Sequence, residues 1–247
     1  MNKILYLGDT ALDQAASYLA GILSYSKIDF DYLASDKKFK DSFLKNEYSA
    51  IIISDYPAKN FTKNQINRLI AKIQNGTGLL MIGGWESFVG LAGKYEKTAL
   101  SEVLPVVMGK TDDRVNCFGP CMIVKKNEHA IIKGLPFETK MPAVGGFNKF
   151  KVKKGCLEIL STRRYKAQLK SSEIKFSPMQ TSPLLVIGSF GKGKTAAFAS
   201  DVSPHWVGPF VDWGNKRIKA QAEGGNEIEV GNWYVQFFRN IINWISK

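Results

Sequence analysis

Four strand-like runs each end in residues able to do chemistry. Residues 3–7 lead into Gly8-Asp9, and residues 50–53 into Ser54-Asp55. Residues 79–82 lead into Gly83-Gly84-Trp85-Glu86-Ser87, and residues 195–199 into Ser200-Asp201, with Pro204-His205-Trp206 just beyond. In open α/β sheets, ligands bind outside the carboxyl ends of the strands. That rule gathers Asp9, Asp55, Gly83, Gly84, Trp85, Ser87 and Trp206 into one candidate ligand site. The two glycines would let a ligand approach backbone amides closely. The catalytic expectation is His205 as a base, with Asp55, Glu86 or Asp201 orienting it. The plainer alternative is that His205 caps a loop and Trp206 packs on the core.

Other motifs point to chemistry less directly. Gly188-Ser189-Phe190-Gly191-Lys192-Gly193-Lys194-Thr195 fits the phosphate-binding P-loop pattern letter for letter. That loop needs a strand before it and a helix after it, because the helix N-terminus helps hold the phosphates. The residues after Thr195 are too few for a helix before Pro204, so a β-hairpin with a glycine turn is the expected structure. Cys117-Phe118-Gly119-Pro120-Cys121 has two potential metal ligands, but Cys156, His129 and His205 lie far off in sequence, so no metal and no cofactor are expected. In Asp112-Asp113-Arg114, adjacent carboxylates on an extended chain point apart. They predict an Asp–Arg bridge that orders a loop and not a catalytic acid pair.

The elements that must carry these residues alternate in type. The first hundred residues predict strands at 3–7, 28–32, 50–53 and 79–82, with a helix over 11–23 and a short one over 39–44. Thr62 followed by Gln65 predicts a capping box, and Ile66, Leu69, Ile70 and Ile73 continue as one apolar face toward Gly76. Strands separated by such helices imply βαβ units and a mostly parallel, doubly wound sheet. Residues 106–182 break the pattern and read as a β-rich insertion within a single domain spanning 1–247. Order returns with strands at 183–187 and 195–199 and an amphipathic helix over 233–245.

The chain has 247 residues, 45% of them hydrophobic, enough for a sizeable core. The net charge is +12, mostly scattered lysine, with no recognised nucleic-acid-reading motif, so no nucleic-acid partner is expected. No apolar run approaches the ~18 residues of a spanning helix, and the polar N-terminal stretch is unlike a secretory signal. A cytoplasmic protein without a membrane partner is expected, and three cysteines are a poor disulfide framework.

Several of these segments, in this order, resemble a known family. They are residues 79–88, Leu104-Pro105-Val106, Asp112-Asp113-Arg114-Val115, Gly146-Phe147-Asn148, and Gly191-Lys192-Gly193-Lys194 running on to Asp201 and Pro204-His205-Trp206. Together they resemble the glutamine amidotransferase-like branch of the class I glutamine amidotransferase-like superfamily, and more distantly the ThuA-like proteins. The resemblance implies a flavodoxin-like core. Active members of the superfamily place a nucleophilic cysteine on the turn after a central strand and activate it through a late His-x-Glu. Here that turn is Gly83-Gly84-Trp85, and His205 is followed by Trp206 and Val207. Without thiolate and orienting carboxylate, glutamine hydrolysis by that mechanism is not expected. Three readings remain: a small polar or anionic ligand bound at the strand ends; a non-enzymatic assembly module, such as a homo-oligomer, with Trp85, Trp206, Trp213 and Trp233 at its interface; and a hydrolase using Ser87.

Overall fold

The computed structural model describes residues 3–247, apart from the side chain of Lys170; Met1 and Asn2, which open the polar N-terminal stretch, lie outside the described residues. The first part of the chain contains β1 (Ile4–Gly8), α1 (Ser17–Tyr25), β2 (Phe30–Leu33), β3 (Ala50–Ser54), α2 (Lys63–Gln74), β4 (Gly78–Ile82) and the single turn α3 (Leu100–Val103). Short strands follow: β5 (Val106–Met108), β6 (Arg114–Asn116), β7 (Cys121–Lys125), β8 (Gly146–Asn148) and β9 (Phe150–Val152). Then come the long β10 (Leu157–Lys170) and β11 (Glu173–Phe190), and β12 (Gly193–Phe198). The chain ends with α4 (Pro204–Val207), β13 (Arg217–Ala220), β14 (Ile228–Gly231) and α5 (Asn232–Ile245).

Eight strands form one sheet in the order β2-β1-β3-β4-β12-β11-β10-β7. The first five are parallel and the last three antiparallel. β1, β3 and β4 are buried along their whole length, as apolar strands covered on both faces should be. The crossover from β1 to β2 runs one way along the sheet and that from β3 to β4 the other, so right-handed connections put α1 and α2 on opposite faces. α5 packs beside α1 and brings Phe237, Phe238 and Ile241 fully into the core. This is the mostly parallel, doubly wound sheet that the alternation predicted and the α/β flavodoxin-like core that the resemblance implied.

Local signals decide the boundaries. The capping box forms as predicted: the Gln65 N–H donates to Thr62 Oγ1 at 3.2 Å, and the Thr62 N–H donates to Gln65 Oε1 at 2.8 Å. The first helix is shorter than its apolar stripe implied, because turns occupy residues 12–16. Asp9 and Thr10 both take left-handed backbone, which bends the chain away before a helix can begin. The short helix expected over 39–44 is a 3-10 turn at Asp41–Lys45. The segment 106–182 is β-rich and is tied into the main sheet through β7, β10 and β11.

The P-loop pattern lies in the β11–β12 hairpin. Gly191 turns with φ +58°, and the ladder pairs Ser189 with Lys194 and Phe190 with Gly193, so no helix follows. Lys194 Nζ rests 5.1 Å from the centre of the Trp244 ring. β12 runs parallel to β4 from this point, so the turn sits at the opposite end of the sheet from the strand ends that gather the aspartates. Calorimetric titration with ATP is expected to give no saturable heat, and Lys194→Ala is expected to change nothing in it. Saturable binding lost in that variant would refute the hairpin reading of the motif.

Candidate functional site

Three strand ends place three aspartates together. Past β1, Gly8 has φ +127° and Asp9 φ +52°; past β3, Asp55 has φ +46°. Left-handed backbone costs a non-glycine residue about 1 kcal/mol or more, and such residues concentrate at functional turns. Past β12, Asp201 sits at the head of the loop to α4. Asp9 and Asp201 are almost fully buried, while Asp55 stays partly open. Burial first, and then the charges of Asp201 and Asp55, push the Asp9 carboxyl well above the usual carboxylate range. Asp55 is raised by burial and by Asp201, and Asp201 by burial. Burial also lifts the Tyr6 phenol, whose hydroxyl donates to Asp9 Oδ2 at 2.5 Å.

A cleft of about 280 Å³ opens here, lined by Asp9, Thr10, Ser35, Asp55, Trp85 and Glu86, with Ala15, Leu91, Ala92 and Ser203 completing it. Trp85 is 42% exposed, a large aromatic kept in contact with water at the cleft. Arg114 Cζ sits 4.6 Å from its ring centre, and the His205 ring meets it edge-on at 5.9 Å. A guanidinium at that range is worth about 0.5–2 kcal/mol and fixes the indole plane. Arg114 is itself held by Asp112 at 2.7 Å, the Asp–Arg bridge expected from sequence. Burial raises the Glu86 carboxyl, and Lys59 opposes that shift.

The loop after β4 is fixed from the β-rich segment. Asn148 is fully buried; its Oδ1 accepts the Gly84 N–H at 2.9 Å, and its Nδ2 donates to Gly84 O at 3.1 Å and to Asp113 Oδ1 at 2.8 Å. Asp113 in turn accepts the N–H groups of Val89 and Gly90. Gly84 has φ +151°, and a Cβ there would stand 2.1 Å from Asp55 Oδ1, so the aspartate occupies the space the glycine leaves.

The structure brings Asp9, Asp55, Trp85 and Glu86 onto one cleft and His205 beside Trp85. It gives the other sequence candidates internal positions. The Gly83 N–H donates to Phe198 O and Ser200 O, and the Gly84 N–H is taken by Asn148, so neither amide is open to a ligand as expected. Ser87 is fully buried and its Oγ accepts the Asp55 N–H, a position that also argues against a serine nucleophile. Trp206 is 2% exposed, lies against Gly146 and donates to Asn116 Oδ1 at 2.8 Å. Asp201 Oδ1 accepts the N–H groups of Val202 and Ser203, and Oδ2 accepts the Ser203 hydroxyl, so it caps its own loop. Among the described residues no carboxylate hydrogen-bonds His205, and the expected base–orienter pair is not assembled. The aromatic interface is not assembled either: Trp206 and Trp213 are internal, and only Trp85 of the four is well exposed.

Sequence reading missed Asn148, Asp113 and Arg114 as site builders, although the two segments holding them carried the family resemblance. Their spacing of 35 residues between Asp113 and Asn148 has no local signature. The three cysteines, all free, lie between β6 and β10, away from the turn after β4. Among the described residues no group of three or more His, Cys, Asp or Glu side chains is arranged to hold a metal ion. No helix among them is long and apolar enough to cross a membrane.

Comparison with known proteins follows the same outline. "Cytoplasmic Protein STM1381" from Salmonella typhimurium LT2 is 29% identical over 99% of this chain and 100% of its own, with a TM-score of 0.74. "Cytoplasmic Protein STM3548" from Salmonella typhimurium is 25% identical over 98% of both chains, also at 0.74. A ThuA-like protein from Bacteroides uniformis shares the fold at 14% identity and a TM-score of 0.58, over 99% of this chain and 91% of its own. No curated protein matches the sequence. Residues 6–220 match the model of the family described as "Putative glutamine amidotransferase", and the chain belongs to that glutamine amidotransferase-like family.

Proposed function

We propose that this protein binds a small ligand bearing hydrogen-bond donors, as hydroxyl or ammonium groups, in the cleft at the strand ends, and that it does not hydrolyse glutamine. The observation carrying this reading is that Asp9, Asp55 and Glu86 line the cleft with the buried Asp201 behind them, and that no lysine or arginine forms an ion pair with any of the four within 4 Å among the described residues. Such a cleft offers hydrogen-bonding carboxyls, and a bound cation gains further by drawing them into their ionised form. It favours donors and cations and works against the anionic ligands that the sequence left open. Trp85 supplies a flat apolar surface for the ligand's carbon skeleton. The absence of cysteine from Gly83-Gly84-Trp85 and of a carboxylate two residues after His205 supports the second half. A cytoplasmic location accords with the names of the two Salmonella proteins.

Thermal-shift and calorimetric screens with polyols, amines and dicarboxylates test the reading. Polyols or amines are expected to bind and dicarboxylates to fail, with Asp55→Asn weakening the binders about tenfold or more, the loss of one charge-assisted contact. Tight dicarboxylate binding insensitive to Asp55→Asn would refute it. Incubation with glutamine is expected to release no ammonia; release abolished by His205→Ala would overturn the second half.

A further inference from the structure

β10 and β11 run on beyond the sheet that they belong to. β7 pairs with β10 only from Leu160 to Arg164, and β12 pairs with β11 only from Leu185 to Phe190. From Lys166 to Ser177 the two strands pair with each other and stand out as a ribbon. It turns at Ser171 and Ser172, both with positive φ, the two-residue geometry that suits the twist of a hairpin. Tyr165 pairs with Pro178, Ala167 with Phe176 and Leu169 with Ile174. Period-two alternation puts these six on one face and Lys166, Gln168, Lys175 and Ser177 on the other. Leu169, Ile174 and Phe176 are 74%, 64% and 54% exposed. A lone two-stranded hairpin is marginal in water, and an apolar face of an antiparallel ribbon is ordinarily packed against something.

We propose, independently of the cleft, that this face is the contact through which two copies of the chain pair. The placement of charge selects the occupant. An anionic lipid or nucleic-acid surface would require lysines beside the apolar residues, and Lys166 and Lys175 point the opposite way. An uncharged apolar strip matches another of the same width, and the twin arm is one. Two arms stacked face to face ~10 Å apart, pointing in opposite directions, keep the bodies at opposite ends. Phe176 then meets its twin near the twofold axis, where Ala167 leaves room, and each tip, Leu169 and Ile174, covers the partner's Tyr165 and Pro178. The arm's own Lys166 and Lys175 stay on the outer faces, so a chain of net charge +12 pairs without stacking them against each other. The six side chains offer on the order of 500 Å² per copy. A groove of about 600 Å³ at the arm's root, where Val107, Phe150, Val152 and Pro183 stand beside Lys149 and Lys151, offers mixed apolar and basic surface toward the ~800 Å² per partner of stable interfaces.

Sedimentation velocity on the full chain tests this. A species of twice 27.5 kDa is expected, and the pair Phe176→Glu and Ile174→Lys is expected to raise its dissociation constant ~100-fold, as loss of central apolar anchors does. Lys166→Glu with Lys175→Glu, on the outer face, is expected to leave the dimer intact. A monomer at every concentration, a dimer that survives the apolar-face pair, or a dimer split only by the outer-face pair would overturn the proposal. Hydrogen exchange of the unsubstituted chain gives a check without variants: arm amides should become slower as concentration rises, and exchange independent of concentration would count against pairing.

Discussion

Replacing Asn148 by alanine is expected to cost roughly 3–5 kcal/mol of stability, the sum of two buried polar groups left without partners at about 1–3 kcal/mol each and one hydrogen bond lost to the Asp113 carboxyl. The Gly84 N–H and C=O lose their partner at once, Asp113 Oδ1 keeps only the Gly90 N–H of its two donors, and the site is fully buried, so water cannot replace the amide without opening the loop. For a chain of this length that corresponds to a midpoint lowered by about 10 °C in a thermal melt. The effect reaches the cleft as well. Trp85 and Glu86 follow directly on Gly84, and the Glu86 N–H holds Asp55 Oδ1 at 2.7 Å. Loosening Gly84 therefore unseats both the aromatic wall and one aspartate, and ligand affinity should fall with stability. Asn148→Asp keeps an acceptor for the Gly84 N–H but sets a carboxylate against Asp113, so it should be as damaging at pH 8 and partly rescued near pH 5. Asn127→Ala, which loses one exposed contact to Glu158 O, should stay within about 1 kcal/mol of the native chain. An Asn148→Ala protein that melts like the native one would show that the loop is held by other means.

The sheet was legible because its signals are local or periodic. Residues 50–53 and 79–82 are apolar runs that only a central strand buries on both faces, and Thr62 with Gln65 announces the start of α2 within four residues. The rule that strand ends gather ligands then placed Asp9, Asp55 and the turn after β4 near one another without any contact being known. What that rule does not carry is direction. Whether an amide at Gly83 faces a ligand or a neighbouring carbonyl depends on β12, more than a hundred residues away, and on Asn148. Ser87, Trp206 and Asp201 failed for the same reason: polar or aromatic residues beside a cleft are as easily its supports as its walls. The arm has no local signature within the β-rich segment, because the length of a hairpin is fixed by its turn, and the turn at Ser171-Ser172 has no glycine or asparagine.

Asp55→Asn and Asp9→Asn are each expected to stabilise the protein at pH 8 by about 0.5–2 kcal/mol while weakening the cleft's hold on its ligand, the exchange of stability for function that buried charge clusters embody. The sign follows from the direction of the shifts. Both carboxyls are raised above the ordinary 3.8 by burial and mutual repulsion. Between that value and the raised native one, the folded chain keeps protons that the unfolded chain has shed, so stability declines as pH rises through the window. Asparagine removes the charge and keeps the oxygen that Tyr6 or the Glu86 N–H addresses. The native melting midpoint should therefore fall from pH 5 to pH 8, each variant should fall less steeply, and the curves should converge near pH 4. Asp31 is lowered by Lys3 and Tyr48 against its own burial and contributes the opposite slope, which cancels when variant and native are compared at the same pH. The same protons distinguish the two ligand chemistries. An ammonium group binds best where the cluster is ionised and must expel protons from it wherever the raised carboxyls still hold them, so calorimetry in buffers of different ionisation heat should register proton release. A polyol accepts hydrogen bonds from a protonated carboxyl as readily as it donates to a charged one and should release far less. Binding of either kind that is unchanged in Asp55→Asn, with a melting curve of unchanged slope, would mean that these aspartates serve the fold alone.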